Sequence, residues 1–219
     1  TAQDIKFTDI SNAVAAFMEF EWRSDTSPFD DFLQGRLDLA ISQEKGMELF
    51  YGKANCSSCH AGALFTDHQF HATGQPQVGP GKAARFQSHS RDLGRFRVTG
   101  NIKDKYAFRT PSLRNVELTG PWGHAGAYSN LEAFVYAHLN PYLALSNYDK
   151  SNVTLTKYDA NDWKIMDNAN EVKAIADSIT IKPVIISDGE VTDLLAFLGT
   201  LTDIKAQKGR LGIPETVPS

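Results

Sequence analysis

Two cysteines and a histidine form the segment of this sequence best suited to chemistry. Cys56 and Cys59 stand three positions apart, and His60 follows directly. This C-x-x-C-H spacing is typical of c-type haem attachment. Thiols one turn apart can form thioethers with the two vinyl groups on one porphyrin edge, and the next imidazole can then coordinate the iron. The motif therefore predicts one covalently bound haem c, with His60 as the proximal iron ligand.

Two other interpretations of the cysteine pair are weaker. A zinc site would need two further ligands, and the chain contains no second cysteine pair to supply them. A thioredoxin-type redox motif would need a βαβ context, and the alternation expected of strands is weak throughout. A disulfide within the motif would close a tiny loop and stabilise little.

A histidine on one side of the iron leaves a second axial position to fill. His138 extends the apolar positions Leu131, Phe134 and Val135 at helical spacing, which predicts an inward-facing imidazole. A core histidine hydrogen-bonded to a neighbour is the alternative interpretation. With an iron to coordinate, we expect His138 to be the sixth ligand. The full set of candidates is Met18, Met47, Met166, His68, His71, His89, His124 and His138.

Apolar residues at helical spacing follow several residues that favour N-caps, which predicts a mainly α fold. The predicted N-caps are Ser11, Ser27 before Pro28, Ser42, Asn130, and Ser187 or Asp188. From about residue 61 to 110, glycines and prolines interrupt any sustained period. A long irregular stretch is uncommon in a compact domain unless it surrounds something. We expect these loops to wrap the haem of a c-type cytochrome domain.

Composition narrows the classes of partner. A net charge of −4 gives no broad positive field, so nucleic acid is not an expected partner. No apolar run approaches the roughly 18 residues that span a bilayer, so no membrane span is expected. The first residues lack an export signal, so we expect either its removal or numbering that starts inside a longer precursor. Since haem thioethers form after export, the expected compartment is the periplasm.

A longer set of motifs resembles one protein family. The motifs are Tyr106–Val116 (YAFRTPSLRNV), Leu118–His124 (LTGPWGH), Ser27–Asp30 (SPFD) and Asp92–Phe96 (DLGRF). Together they resemble the second haem domain of bacterial dihaem cytochrome c peroxidases and MauG-like proteins. The resemblance runs from about Ile10 to Asp203. It implies that residues 1–219 form a single c-type cytochrome domain with a core at about 10–203.

The resemblance also implies site residues. In the family, the sixth ligand of the second haem follows the histidine matched by His124 at a distance of about four helical turns, which corresponds to His138. The family usually binds calcium, and the backbone carbonyls of Thr119 and Pro121 match two of its ligands. Arg109 and Arg114 look placed to pair with the haem propionates, because a guanidinium matches carboxylate geometry. A surface salt bridge is the alternative for both arginines.

The resemblance implies electron transfer as the function of this domain. It would relay electrons from a small cytochrome c or cupredoxin to a peroxidatic haem domain that reduces hydrogen peroxide. The family has two haem motifs and this chain has one, so the family's peroxidatic residues have no counterpart here. We therefore expect either a part of a dihaem protein or a natural single-haem relative. Two alternatives remain: a free-standing monohaem carrier, and an enzyme in which His138 leaves the iron to admit peroxide.

Overall fold

A computed structural model describes residues 4–79, 91–153 and 163–211 of the chain. The described residues are mainly helical, which confirms the predicted fold class. The α-helices are α1 (Phe7–Glu21), α2 (Pro28–Leu33), α3 (Ile41–Tyr51), α4 (Phe96–Thr99), α5 (Leu131–Leu139), α6 (Pro141–Ser146), α7 (Ala169–Asp177), α8 (Asp188–Gly199) and α9 (Ile204–Lys208). Short 3-10 helices span Cys56–Ser58, Ile102–Asp104, Val116–Leu118 and Lys150–Asn152. Strands β1 (Phe70–His71) and β2 (Phe108–Arg109) form one antiparallel ladder.

Three of the predicted helix starts are confirmed. The Ser27 hydroxyl accepts a hydrogen bond from the Asp30 N–H at 3.3 Å, and Asp30 accepts one from the Ser27 N–H at 3.0 Å. This reciprocal pair is a capping box. Asn130 caps α5 by accepting from the Ala133 N–H at 3.1 Å, and Ser187 caps α8.

Two predicted N-caps are wrong. Ser11 lies inside α1, where its hydroxyl donates to the Phe7 carbonyl at 2.9 Å. Ser42 lies inside α3, which begins at Ile41. The backbone N–H before α3, at Ala40, is satisfied by the Gln43 side chain at 2.9 Å. In both cases the helix begins before the serine, where a backbone N–H donates to a side chain three residues later, Lys6 to Asp9 and Ala40 to Gln43.

The main core lies between α3 and α8. Gly46 on α3 permits their close approach, because a Cβ atom there would lie 1.9 Å from the Asp193 carbonyl oxygen of α8. Beside this crossing, Phe29 of α2 and Phe50 of α3 each pack on Phe197 of α8, at ring-centroid distances of 5.2 and 5.1 Å. Burial of these side chains stabilises the helices through the hydrophobic effect.

Two smaller clusters surround α5, α6 and α7. One buries Tyr106, Leu145, Ile165 and Ile175, and the other buries Ala127, Tyr128 and Ala137. Val135 and Leu139 of α5 instead belong to the main core. Helix α5 therefore lies where two apolar clusters meet.

Residues 61–79 and 91–128, here called the loop region, contain only short elements. Side chains hold it together over long sequence distances. The buried Thr66 hydroxyl donates to the Thr110 carbonyl at 2.7 Å. The Gln77 side-chain amide donates to the Asp92 carbonyl at 2.7 Å and accepts from the Asp92 N–H at 3.0 Å. These hydrogen bonds give backbone groups of the loop region partners, as a backbone ladder does in a β-sheet.

Helix α1 contributes little to either core. Its large apolar side chains are exposed, up to 83% for Phe7. Its last residue, Glu21, is buried and accepts a hydrogen bond from the Leu211 N–H at 2.7 Å. Among the described residues, no helix is both long enough and apolar enough to cross a bilayer.

Candidate functional site

The C-x-x-C-H segment follows α3 and forms a single tight turn. The His60 N–H donates to the Cys56 carbonyl at 2.9 Å, which closes the turn. Cys56 and Cys59 are free, partly buried thiols. Burial raises the pKa of the Cys56 thiol to about 11 and also raises that of Cys59. Both sulfurs are therefore protonated thiols at neutral pH.

The imidazole of His60 is oriented by a loop carbonyl. Its Nδ1 lies 3.0 Å from the Phe65 carbonyl oxygen. A carbonyl can only accept, so Nδ1 carries the proton and the Nε2 lone pair is left for another partner. Burial lowers the pKa of His60, which favours the neutral imidazole.

The Phe65 carbonyl is held in place by an unusual backbone. Phe65 has a φ of +52°, a region that a bulky residue rarely adopts. Its ring is 2% exposed and packs on Phe29 and Phe50 at centroid distances of 5.7 and 6.0 Å. The packing of this ring offsets the local strain. The main core thus fixes the orientation of His60.

The imidazole of His138 is oriented by its own helix. Its Nδ1 lies 3.1 Å from the Phe134 carbonyl oxygen, one turn earlier in α5, and the two rings meet edge-on at 4.5 Å. By the same argument Nδ1 donates and Nε2 is left free. Burial, with a smaller contribution from His60, outweighs the hydrogen bond to Phe134 and lowers the pKa of His138 to about 4. Both imidazoles are therefore neutral at pH 7, and a charge on His60 would disfavour protonation of His138.

The other described histidines have side-chain partners. His71 and His124 use Nε2 to contact Asp67 and Asp92, at 2.8 and 2.9 Å. His68 contacts the Arg109 guanidinium through Nδ1 at 3.1 Å. His89 lies outside the described residues. Among the histidines described, only His60 and His138 pair Nδ1 with a backbone carbonyl and leave Nε2 without a protein partner.

These residues fit a c-type haem. The site brings together two free thiols and two neutral imidazoles whose Nε2 atoms have no hydrogen-bond partner among the described residues. Iron in a c-type haem binds imidazole through such a lone pair. A carbonyl that accepts from the opposite nitrogen fixes the tautomer and raises the basicity of the ligand.

The structure gives Arg114 a protein partner, the carboxylate of Asp30. Its two terminal nitrogens contact the Asp30 carboxylate at 2.7 and 2.9 Å, and its Nε donates to the Ala63 carbonyl at 2.8 Å. The side chains of Arg114 and Asp30 are only 12% and 11% exposed. The pair is buried, unlike the surface salt bridge that was the alternative, and a propionate contact of Arg114 stays a prediction. Arg109 is exposed on β2 beside His68, and a propionate contact there stays a prediction.

The predicted calcium ligands lie together on an exposed turn. Thr119 and Pro121 flank Gly120, and the carbonyl oxygens of both accept no hydrogen bond from any described residue. Free carbonyls of this kind suit a hard cation such as Ca²⁺. Calcium binding stays a prediction.

The structure also places possible zinc ligands next to the haem motif. The ligand atoms of Cys59, Asp67 and His71 lie within 4.8 Å of one another. The absence of a second cysteine pair is therefore a weaker argument against zinc than the sequence indicated. Asp67 and His71 are, however, already paired with each other, and Cys56 is not a member of this cluster.

Sequence reasoning missed the groups that orient the site. The Phe65 and Phe134 carbonyls are backbone atoms, and no residue type marks them. Asp30 belongs to the SPFD motif, which predicts a helix cap. The motif does not predict its contact with Arg114, 84 residues later. Only the spacing of Phe134 and His138, one helical turn, could have pointed to their contact.

Comparisons with known proteins agree on one family. The chain is 31% identical over 195 residues to the methylamine utilization protein MauG of Methylorubrum extorquens, covering 88% of this chain and 43% of that protein. It is 33% identical over 153 residues to the cytochrome c peroxidase IdrP1 of Pseudomonas sp. strain SCT, covering 59% and 40%. The chain thus spans less than half the length of these curated relatives. No protein-family sequence model matches it.

Solved structures agree with the sequence relatives. A MauG-like protein associated with microbial copper homeostasis matches 93% of this chain and 55% of its own, with a TM-score of 0.58 and 28% identity. A variant of the dihaem peroxidase BthA from Burkholderia thailandensis matches 84% and 47%, with a TM-score of 0.59 and 25% identity. Together with the C-x-x-C-H segment, these likenesses show that the chain belongs to the bacterial dihaem cytochrome c peroxidase and MauG-like family.

Proposed function

We propose that this chain is the electron-transfer haem c domain of a dihaem cytochrome c peroxidase or MauG-like protein. The observation that carries the proposal is the pair of partly buried, neutral imidazoles, His60 and His138, each with a free Nε2. Cys56 and Cys59 would form the thioethers. The bound haem would supply an iron that gains and loses one electron at a time.

The residues around the site favour a relay over direct catalysis. With both axial positions held by histidines, peroxide could reach the iron only after one imidazole left. His138 is tethered to the Phe134 carbonyl within a helix whose neighbouring residues lie in the main core, which opposes its departure. Two imidazoles also favour ferric iron more than a histidine–methionine pair does. The geometry therefore suits passage of electrons to a second, peroxidatic haem domain.

The remaining parts of the proposal follow from the family. A small cytochrome c or a cupredoxin would donate the electrons, and the periplasm would be the compartment. Calcium at Thr119 and Pro121 and a propionate contact at Arg109 belong to the same proposal. The second candidate is a free-standing monohaem carrier, favoured by the single C-x-x-C-H motif in the chain. A second such motif in the complete gene would decide against it.

Replacing His138 tests the proposal directly. His138→Met should raise the midpoint potential of the holoprotein by on the order of 100 mV, because thioether ligation stabilises ferrous iron. Low-temperature EPR of the unmodified ferric protein should show a low-spin centre with two imidazole ligands. His68→Met is the matched control and should change neither property.

Two results would contradict the proposal. An unchanged potential in the His138→Met variant would exclude His138 as a ligand. Rapid peroxide turnover by this chain alone, with a high-spin ferric spectrum, would instead make it an enzyme in its own right.

A further inference from the structure

Positive charge is concentrated in one segment of an acidic chain. Residues 91–109 contain six lysines or arginines against two aspartates, whereas the whole chain carries −4. We call these six side chains the basic surface: Arg91, Arg95, Arg97, Lys103, Lys105 and Arg109. A local field of this sign can orient and attract a partner of opposite charge, even when the net charge is negative.

The basic surface borders a cleft whose lining is mixed, with apolar and charged side chains. Arg91 and Lys105 line a cavity of about 400 Å³ together with Ile102 and residues of α7. Ile102 is 67% exposed, and Val98 on α4 is 89% exposed. Apolar side chains ringed by charges resemble the centre and rim of a protein–protein interface.

Part of the positive charge is not neutralised within the described chain. Arg91 pairs with Glu171 and Arg95 with Asp104. Lys103, Lys105 and Arg109 form no ion pair with any carboxylate of the described residues. Lys103 and Lys105 are therefore available to an external anion, whereas Arg109 belongs to the proposed propionate contact.

Short contacts connect the basic surface to the haem motif. The Arg95 guanidinium lies 4.3 Å from the centre of the Phe70 ring on β1, and Phe70 pairs with Arg109 across the ladder. Just before β1, the Asp67 N–H donates to the Cys59 carbonyl at 2.8 Å. A protein docked on the basic surface would therefore lie close to the segment that holds the haem.

We propose that the basic surface is the docking site for the acidic face of a small redox protein. This inference rests on the proposed electron-transfer function and selects the charge of its partner. Lys103 and Lys105, which pair with no carboxylate of the described residues, can each form a charge-assisted hydrogen bond with a carboxylate of the partner. Only two large apolar side chains, Val98 and Ile102, project from this segment, which suits a small protein contact better than insertion into lipid.

Electron exchange with two protein probes tests the partner's charge. The reduced holoprotein is mixed with an oxidised acidic cupredoxin, so that ferrous haem passes one electron to Cu(II) and yields ferric haem and Cu(I). A lysine-rich cytochrome c serves as the second probe. We expect the second-order rate constant with the cupredoxin to fall about tenfold from low to physiological ionic strength. At low ionic strength, the lysine-rich cytochrome should react more slowly than the cupredoxin.

Charge reversal locates the site. The double variant Lys103→Glu and Lys105→Glu should lower the cupredoxin rate constant at low salt by about tenfold or more. The control Lys45→Glu and Lys208→Glu changes the net charge equally, at exposed positions on α3 and α9, and should stay within about twofold. Equal effects of the two double variants would overturn the proposal. Faster reaction with the lysine-rich cytochrome, or binding to phosphatidylserine vesicles without a salt-dependent cupredoxin reaction, would also overturn it.

A haem-independent readout separates this inference from the proposed function. NMR titration of the cupredoxin with the holoprotein reports docking whether or not electrons move. If the cupredoxin docks at the basic surface but the haem exchanges no electron, the proposed function fails and the docking site stands. If the haem exchanges electrons but the Lys103→Glu and Lys105→Glu variant docks as well as the unmodified chain, only this inference fails.

Discussion

Two regions of the molecule together orient His60, and different interactions hold each of them together. The regions are the packed helices α2, α3 and α8 and the loop region. The helices bury phenylalanine rings around a close backbone crossing at Gly46. The loop region buries few large side chains and is tied by single polar contacts, such as those of Thr66 and Arg114. Phe65 joins the two, since its ring lies in the main core while its carbonyl orients His60. A rigid apolar core can therefore set the geometry of a loop that has little regular structure of its own.

The largest effect is expected at the helix crossing. Gly46→Ala would place a Cβ 1.9 Å from the Asp193 carbonyl oxygen, and backbone cannot move aside cheaply. We expect a loss of about 4 kcal/mol or more in the free energy of unfolding, measured by urea titration of the holoprotein. Gly189→Ala, at an open position of α8, should be neutral or slightly stabilising. Similar stabilities of the two variants would show that the crossing is loosely packed.

The second-largest loss of stability is expected at the contact between the helices and the loop region. Asp30→Asn removes the charge that faces Arg114 in a buried pair and leaves a guanidinium without its counterion. Breaking a pair of this kind costs about 3 kcal/mol. Asp31→Asn, which removes an exposed partner of Arg36, should cost less than about 1 kcal/mol. Equal losses in the two variants would contradict a special role for the buried pair.

The same pair should respond to acid. Burial alone would raise the pKa of Asp30, but hydrogen bonds from Arg114 and Ser27 hold it below its ordinary value of 3.8. Because the folded-state pKa is the lower one, the pair's stabilisation is present above pH 4 and is lost as the pH falls through the folded-state pKa. Urea titrations of the unmodified chain and of Asp30→Asn should therefore converge in stability at low pH. A constant difference down to pH 2 would assign the effect to packing.

The smallest effect is expected inside the loop region. Thr66→Val removes a hydroxyl that donates to the Thr110 carbonyl and accepts from the His68 N–H at 3.0 Å. We expect a loss of about 1–2 kcal/mol, since both backbone groups lose a buried partner. Hydrogen exchange should quicken in the loop region and not in α3 or α8. The exposed Thr192→Val in α8 is the control and should stay within about 0.5 kcal/mol. Faster exchange in α3 would show that the two regions open together.

Local sequence predicted the features that depend on neighbours along the chain. The C-x-x-C-H turn, the cap at Ser27 and the inward face of α5 all rest on contacts within four residues. The wrong N-caps at Ser11 and Ser42 also depend on contacts within four residues. There, the backbone N–H groups of Lys6 and Ala40 donate to the Asp9 and Gln43 side chains, and each helix begins before the serine.

The sequence by itself determined the haem motif, the helical fold class and the inward position of His138. Only the tertiary structure decided that His60 is oriented by Phe65, that Arg114 pairs with Asp30 and that a charge on His60 influences the pKa of His138. The physical reason is the range of the interactions. Caps and helical faces follow from residues within one turn, whereas these contacts arise from chain packing or from a backbone conformation that packing enforces.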